Sequence, residues 1–545
     1  MKLGLASQQS GLDRFCLRVK TLAARSGVWW ATVAAMAAVL MVPLLLVDVP
    51  PLADYPNHIA RMWVLAFGAS DPFVSRMYAQ HWSIIPNVAM DLVIPPMLTV
   101  LPLNVAGRIA VAIAILLPMA GSLALNRAIF RERAYWPILS GFVTYNVALR
   151  LGFLNFLWAI GVALLGAAAW VAWREPKPAR ALLVTSATAI AAFFCHIMGL
   201  AFLALMLAAV ETSAASAQTT GAASARKLIR RFLILALVFA APFALYILSR
   251  FADSGGAVVW QPLVSKMVGA LGSFLCVNLA FDALAATACL SFVYVCLRSG
   301  RGESPWWVGV AAIMLVICYV VAPFGLKGSS FFATRFAIML GFLLFAGVRT
   351  FAIPPRLTVL ACLMFVGLFV ARMVSISTVF WQHNDDIVQI RKVIAPVEPG
   401  SRVLVFVVPF SEAPDYWLKS PASRFIPFTI SAEANEAALL LTDRRAFWPQ
   451  LFASPDQQPL TVLPPYSEIA SPRGYMPVRA MLAGPVEAPP TVFQVPADWQ
   501  RKFDYVLLLD AGGEPDLAGW AAGRMDLVAA TDAAALFRVR RPATN

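Results

Sequence analysis

Asp54, His58 and Arg61 are the residues best suited by type and spacing to chemistry in this sequence of 545 residues. They lie in Asp48-Val-Pro-Pro-Leu-Ala-Asp-Tyr-Pro-Asn-His-Ile-Ala-Arg61, just after a long apolar run. A carboxylate at the edge of a low-dielectric layer can have a raised pKa, which suits a general base. Asp54 also precedes Tyr-Pro-Asn, a good N-cap setting. Four residues apart on a helix, Asp54 and His58 share a face. They could form an acid–base pair, two ligands of a divalent ion, or a structural hydrogen bond. Two ligands do not make a metal site, and no Cys-x-x-Cys spacing adds more. No cofactor is therefore expected.

A second group is cationic. Arg61, Arg150, Lys327 and Arg335 are candidate anion clamps, because a guanidinium fork bonds two oxygens of a phosphate. Arg150 sits in Val147-Ala-Leu-Arg-Leu-Gly-Phe-Leu-Asn155, and Lys327 and Arg335 flank Gly-Ser-Ser-Phe-Phe-Ala-Thr. The alternative is snorkelling to a headgroup layer, as Lys and Arg near span ends routinely do. His196, in Phe193-Phe-Cys-His-Ile-Met-Gly199, is either a ligand-facing residue between two apolar runs or a packing histidine.

The elements that must hold these residues are membrane helices. The chain is 60% hydrophobic and 13% charged, against about 25% charged in soluble domains. Apolar runs near the ~20 residues needed to cross a bilayer occur at about 28–47, 105–126, 136–149, 152–173, 181–195, 197–211, 232–249, 270–297, 305–323, 334–348 and 357–374. The first reads as a retained helix, since Asp48-Val-Pro-Pro is no small-residue cleavage site. With eleven spans the basic clusters, from Lys2–Arg25 through Arg127/Arg131/Arg133 to Arg349/Arg356, fall on one side, which the positive-inside rule makes cytoplasmic. Asp54, His58, Arg61, Arg76, His81, Asp91, Arg150, Asn155, His196, Lys327 and Arg335 then lie at or near the outer face, where a wet cavity would accommodate them. Residues 88–104 carry Asp91 and several prolines, so an interfacial or partly inserted element is expected there.

Three regions follow: a cytoplasmic N-terminus at 1–27, a multi-spanning membrane domain at 28–374 with a large first outer loop at 48–104, and an extracytoplasmic α/β domain at 375–545. The net charge is +17 before residue 375 and −3 after it. The basic pI thus belongs to membrane loops, and no nucleic-acid face is indicated. In the tail, 403–408 and 505–509 read as buried strands, 439–442 and 536–539 as weaker strands, 385–394 as a helix and 455–500 as an irregular excursion. All seven cysteines precede residue 363, and six lie in apolar runs as buried thiols.

The pattern resembles the GT-C superfamily of polytopic glycosyltransferases, which includes the protein O-mannosyltransferases and aminoarabinose transferases. The likeness rests on Asp54 early in a long loop after the first span, on Ile85-Pro-Asn-Val-Ala-Met-Asp-Leu, on Pro102-Leu-Asn-Val-Ala-Gly-Arg108 and on an outer C-terminal domain. Tyr55 stands where an Asp-Glu pair is common in that superfamily, and His58 has no fixed counterpart there. Asp-x-Pro-x-His at 54–58 and Gly-Phe-Leu-Asn-Phe at 152–156 resemble uncharacterised bacterial membrane proteins more closely. The resemblance implies an all-α membrane domain and sugar transfer from a polyprenyl-phosphate donor to a lipid or glycan acceptor at the outer face of a bacterial inner membrane. It implies Asp54 as base and Arg108 as the arginine opening the second membrane helix. On that reading Arg150, Lys327 and Arg335 would hold the lipid phosphate, and His58, Arg61, Asn155 and His196 are further candidate substrate-binding residues by their type and outer-face position. The alternative is a non-catalytic assembly or transport component of an envelope polysaccharide system. A transporter should show matching halves, and no repeat is evident.

Overall fold

The computed structural model describes residues 21–22, 25–216, 222–249, 258–326, 329–351, 353–426, 430–431, 434–484, 486–489, 492–521 and 523–542. It is mostly helical. Among the described residues, eight helices are long and apolar enough to cross a membrane: Ser26–Leu45, Leu103–Phe130, Leu154–Trp173, Pro178–Cys195, Ile197–Ala214, Arg226–Leu248, Leu279–Arg298 and Pro355–Ile394. Two apolar helices, Trp306–Val321 and Phe332–Gly347, are shorter. Large apolar side chains such as Leu237, Phe243, Leu360 and Leu363 are exposed along these helices, as expected where lipid is the solvent.

Leu154–Trp173 is the central helix and packs along Leu103–Phe130 and Pro178–Cys195. Its approach to Leu103–Phe130 uses small residues: a Cβ at Gly121 would lie 2.7 Å from Leu164 Cβ. Its first turn carries Asn155, and Arg174 follows its last residue. The rise of an α-helix puts these ends about 30 Å apart. At the Arg174 end, Arg174 and Arg231 both bind Glu211, and Arg349 joins Glu132 and Glu303. The basic loops thus gather at one end of the bundle, and Asp54 lies at the other.

The segment expected to span at 136–149 departs from that expectation. It forms a 3-10 helix, Trp136–Val143, and then a single turn, Val147–Arg150. Pro137 starts it, and the Ser140, Thr144 and Asn146 side chains donate to carbonyls three residues back, which competes with α-helical pairing. Non-helical backbone inside a membrane protein needs buried partners. Arg372 supplies them, donating to the carbonyls of Phe142 (3.1 Å), Tyr145 (2.7 Å) and Phe274 (2.6 Å), while Asp282 balances its charge at 2.7 Å.

Ala89–Met97 is a nine-residue helix with Pro95 and Pro96 near its end, too short to cross. The last spanning helix and the expected 385–394 helix are one continuous 40-residue helix, Pro355–Ile394. Beyond it, Val403–Val407 pairs parallel with Tyr505–Leu509, which pairs antiparallel with Ala534–Val539, and that strand pairs with Met525–Ala530. Residues 439–442, expected as a strand, belong to a helix, Leu439–Arg444. A four-residue apolar run carries no decisive period, and Glu436–Ala438 feeds helically into it. Tyr78–Gln80 pairs with Leu460–Val462, tying the first long loop to the C-terminal excursion.

Candidate active site

Asp54 stands at the N-cap position of the helix Tyr55–Phe67, yet its side chain makes no capping hydrogen bond. Its Oδ1 instead accepts from Asn435 Nδ2 at 3.2 Å. The same amide group donates to Ala53 O at 2.9 Å, and Asn435 Oδ1 accepts from Asn57 at 3.0 Å. Two backbone bonds pin this loop on the 150–152 turn: Ala53 N–H donates to Arg150 O and Asp54 N–H to Leu151 O. The turn needs Gly152, whose φ is +82°; a Cβ there would meet Asp54 N at 2.8 Å and Asp54 Cβ at 2.9 Å. Burial raises the Asp54 carboxyl to about 7, although Arg335, Arg61 and Asn435 pull it down. Its side chain still keeps some accessible surface. It is therefore a carboxylate that can take up and release a proton near neutral pH.

Arg335 opens the Phe332–Gly347 helix, which follows Phe331 at φ +56°. A bulky residue in the left-handed region is an outlier that marks a held conformation. It sets Ser329 and Ser330 against the guanidinium: Arg335 Nη2 donates to Ser329 Oγ (2.9 Å) and Ser330 O (3.3 Å). Phe153 and Phe156 rings lie 4.5 and 5.4 Å from the guanidinium carbon. Its Nε is buried and has no partner among the described residues. Its Nη1 lies 2.6 Å from His196 Nε2, while His196 Nδ1 accepts from Met198 N–H at 3.1 Å. A neutral imidazole has one donor and one acceptor. With Nδ1 accepting from Met198, Nε2 carries the proton and faces the Arg335 Nη1–H, a conflict that an anion accepting from both would remove; in the other tautomer Nε2 accepts from Arg335.

The other expected residues are placed as follows. His58 lies on the Asp54 helix, with its ring edge-on to Phe452 at 5.5 Å; burial and Arg61 hold its pKa well below the usual value. Arg61 makes a buried two-bond pair with Asp91, at 2.7 and 3.1 Å. Arg150 is fully buried, with its guanidinium committed to the carbonyls of Pro51, Ser423 and Phe425. Asn155 braces the 87–90 turn, accepting from Met90 N–H and donating to Asn87 O. Arg108 donates twice to Val47 O, just past the end of the first helix. Lys327 lies outside the described residues. Asp54, His58, Arg61, Arg335 and His196 are thus gathered, whereas Arg150, Asn155 and Arg108 hold backbone. Among the described residues, no group of three or more His, Cys, Asp or Glu is arranged to hold a metal ion.

A polytopic helical bundle with a partly buried acid, an arginine–histidine pair at one end and a small sheet following its last helix defines the architecture. It is similar in fold to ArnT from Cupriavidus metallidurans, in its crystal structure bound to undecaprenyl phosphate: TM-score 0.51, 12% identity, 94% of this chain and 98% of that one. The likeness shows a polytopic, mostly helical membrane fold of the kind expected from the sequence. The arabinofuranosyltransferase AftD from mycobacteria aligns with TM-score 0.42 and 13% identity over 93% of this chain and 40% of its own. No family model and no curated protein matches the sequence.

Proposed function

We propose that this chain is an inverting glycosyltransferase that moves a sugar from a polyprenyl-phosphate donor to an envelope acceptor at the outer face of a bacterial inner membrane. The observation that carries the reading is the Arg335–His196 pair, whose Arg335 is within Coulombic reach of Asp54. Such donors suit a phosphate that gains charge as it leaves. Undecaprenyl phosphate occupies the ArnT structure, and a ligand of that kind fits this role here. The gathering of basic loops at the opposite end of the helices supports an outer placement of Asp54 and of the C-terminal sheet.

In this mechanism Asp54 takes the proton of an acceptor hydroxyl. The hydroxyl oxygen forms its bond to the anomeric carbon as the bond from that carbon to the phosphate oxygen breaks. The electron pair stays on the phosphate, held by Arg335 and His196. Asn435 orients the base, and Arg150 fixes the loop behind it. The reading is tested by binding decaprenyl phosphate to the full chain in nanodiscs. Arg335→Ala should weaken binding by about tenfold or more, the effect of losing charged hydrogen bonds. A deletion strain should accumulate a polyprenyl-phosphate sugar. Undetectable binding together with an unchanged lipid profile would favour the assembly or transport reading.

A further inference from the structure

We infer that Glu436 and His383 are positioning residues for Asp54: their buried contact holds Asn435 in register with the base. This rests on the reading of Asp54 as the base. Asn435 is the link, donating to Ala53 O and Asp54 Oδ1 and accepting from Asn57. It is only half-buried, and it immediately precedes the short turn Glu436–Ala438. Glu436 is fully buried, and its Oε1 lies 3.2 Å from Nε2 of the equally buried His383. His383 belongs to the 40-residue helix Pro355–Ile394. Three residues on, and so on the same helix face, Asp386 Oδ2 lies 4.0 Å from His383 Nδ1. Asp386 binds Arg424 at 2.6 and 3.2 Å and Ser423 Oγ at 3.4 Å. The carbonyl of Ser423 accepts from Arg150, and that of Arg150 accepts from Ala53 N–H. One helix face thus reaches the Ala53–Asp54 step by two routes, through Glu436 and Asn435 and through Ser423 and Arg150.

A buried carboxylate–imidazole pair is a poor way to gain stability. Both groups lose their water, and apolar residues of like volume often do as well or better. The turn already has apolar anchors in Ala437, Ala438 and Leu440, all buried. What the pair adds is direction. A hydrogen bond weakens steeply when its partners misalign, whereas apolar contacts tolerate sliding. Two atoms of the pair, Glu436 Oε2 and His383 Nδ1, have no hydrogen-bond partner among the described residues. Such atoms reduce the stability a polar cluster can give, which leaves registration as its use. The charged groups that reach Glu436 are His383, Asp386 and Arg391, whereas those that reach Asp54 are Arg335 and Arg61. Glu436 therefore acts on the base through the place of Asn435 rather than through its own field.

The test reads the proton on Asp54. Dicyclohexylcarbodiimide attacks protonated carboxyl groups; it is applied to the full chain in nanodiscs across the neutral pH range, and labelling of the Asp54 peptide is followed by mass spectrometry. In the unmodified protein labelling should fall with a midpoint of about 7. Asn435→Ala removes a hydrogen bond to the charged form and should raise that midpoint by about one pH unit. Glu436→Leu and His383→Phe should each raise it by a similar amount, and neither should raise it further when combined with Asn435→Ala. Glu436→Gln keeps an acceptor for His383 and should leave the midpoint close to that of the unmodified protein. Removing a negative charge that acted directly on Asp54 would instead lower it, so the sign separates position from field. His383→Phe keeps a ring in the space and, with its double variant, decides the matter if Glu436→Leu does not fold. An unchanged or lowered midpoint in Glu436→Leu, an unchanged one in His383→Phe, or additive rises in the double variants would overturn the inference. The expected rises, with no binding of decaprenyl phosphate by the unmodified protein, would sink the glycosyltransferase reading and leave the two positioning roles standing.

Discussion

Replacing Asp54 with Asn should inactivate the protein and stabilise it at the same time. The carboxyl is raised from 3.8 to about 7 by burial, so its ionised form is disfavoured in the fold. That rise corresponds to a ceiling of about 4 kcal/mol. The side chain keeps some accessible surface, and solvent screening reduces the expected gain to about 2 kcal/mol. The sign follows from linkage: between the two pKa values the folded state binds more protons, so stability falls as pH rises. The gain from Asp54→Asn should be full above about pH 8 and roughly halved by pH 5. Denaturant titration of both proteins in detergent at pH 5 and pH 9 measures it. Removal of a general base should also lower turnover by about 10²–10⁴. A plain helix cap behaves oppositely, its loss costing about 1 kcal/mol. If the Asp54→Asn variant were less stable at both pH values, or still active, the base assignment would be refuted.

Gly152→Ala should leave the protein inserted and cut turnover about 100-fold, because a Cβ 2.8 Å from Asp54 N forces the base aside and misplacement of about 1 Å has that scale of effect; expression level and activity measured together separate the two outcomes. Asn435→Ala removes the bond that lowers the Asp54 pKa, so the acid limb of the pH–rate profile should move to higher pH. The rate near pH 7 should fall about fivefold and recover toward pH 9, a recovery that general loosening of the loop would not produce.

What was legible in the sequence was charge in the wrong place. Asp54, His196 and Arg335 stand out because ionisable groups at span ends are conspicuous against apolar runs. The partners that give them meaning are neutral and remote. Asn435 reaches Asp54 across 381 positions, and no spacing rule links two such residues. Arg150 shows the opposite limit: its charge suggested an anion clamp, but only tertiary structure shows its fork committed to three carbonyls. The missing span at 136–149 has the same origin. Apolar composition was right for a helix, while Pro137 and the hydroxyl side chains behind it decided the local path. In the last helix a usable signal was present. No Gly or Pro interrupts 368–395, so nothing stops the helix where its hydropathy drops.

That last helix has a mechanical consequence. Forty residues form a rod of about 60 Å, about twice the thickness of a bilayer's hydrocarbon layer. Within its length it carries both Arg372, which clasps the broken segment, and Asn384 and Arg391, which grip the loop at Leu46–Asp48. With no break between them, the two ends tilt through the same angle. Thinning or thickening the lipid around the bundle would therefore rotate the far end relative to the membrane plane, so lipid thickness becomes an input to the geometry above Asp54.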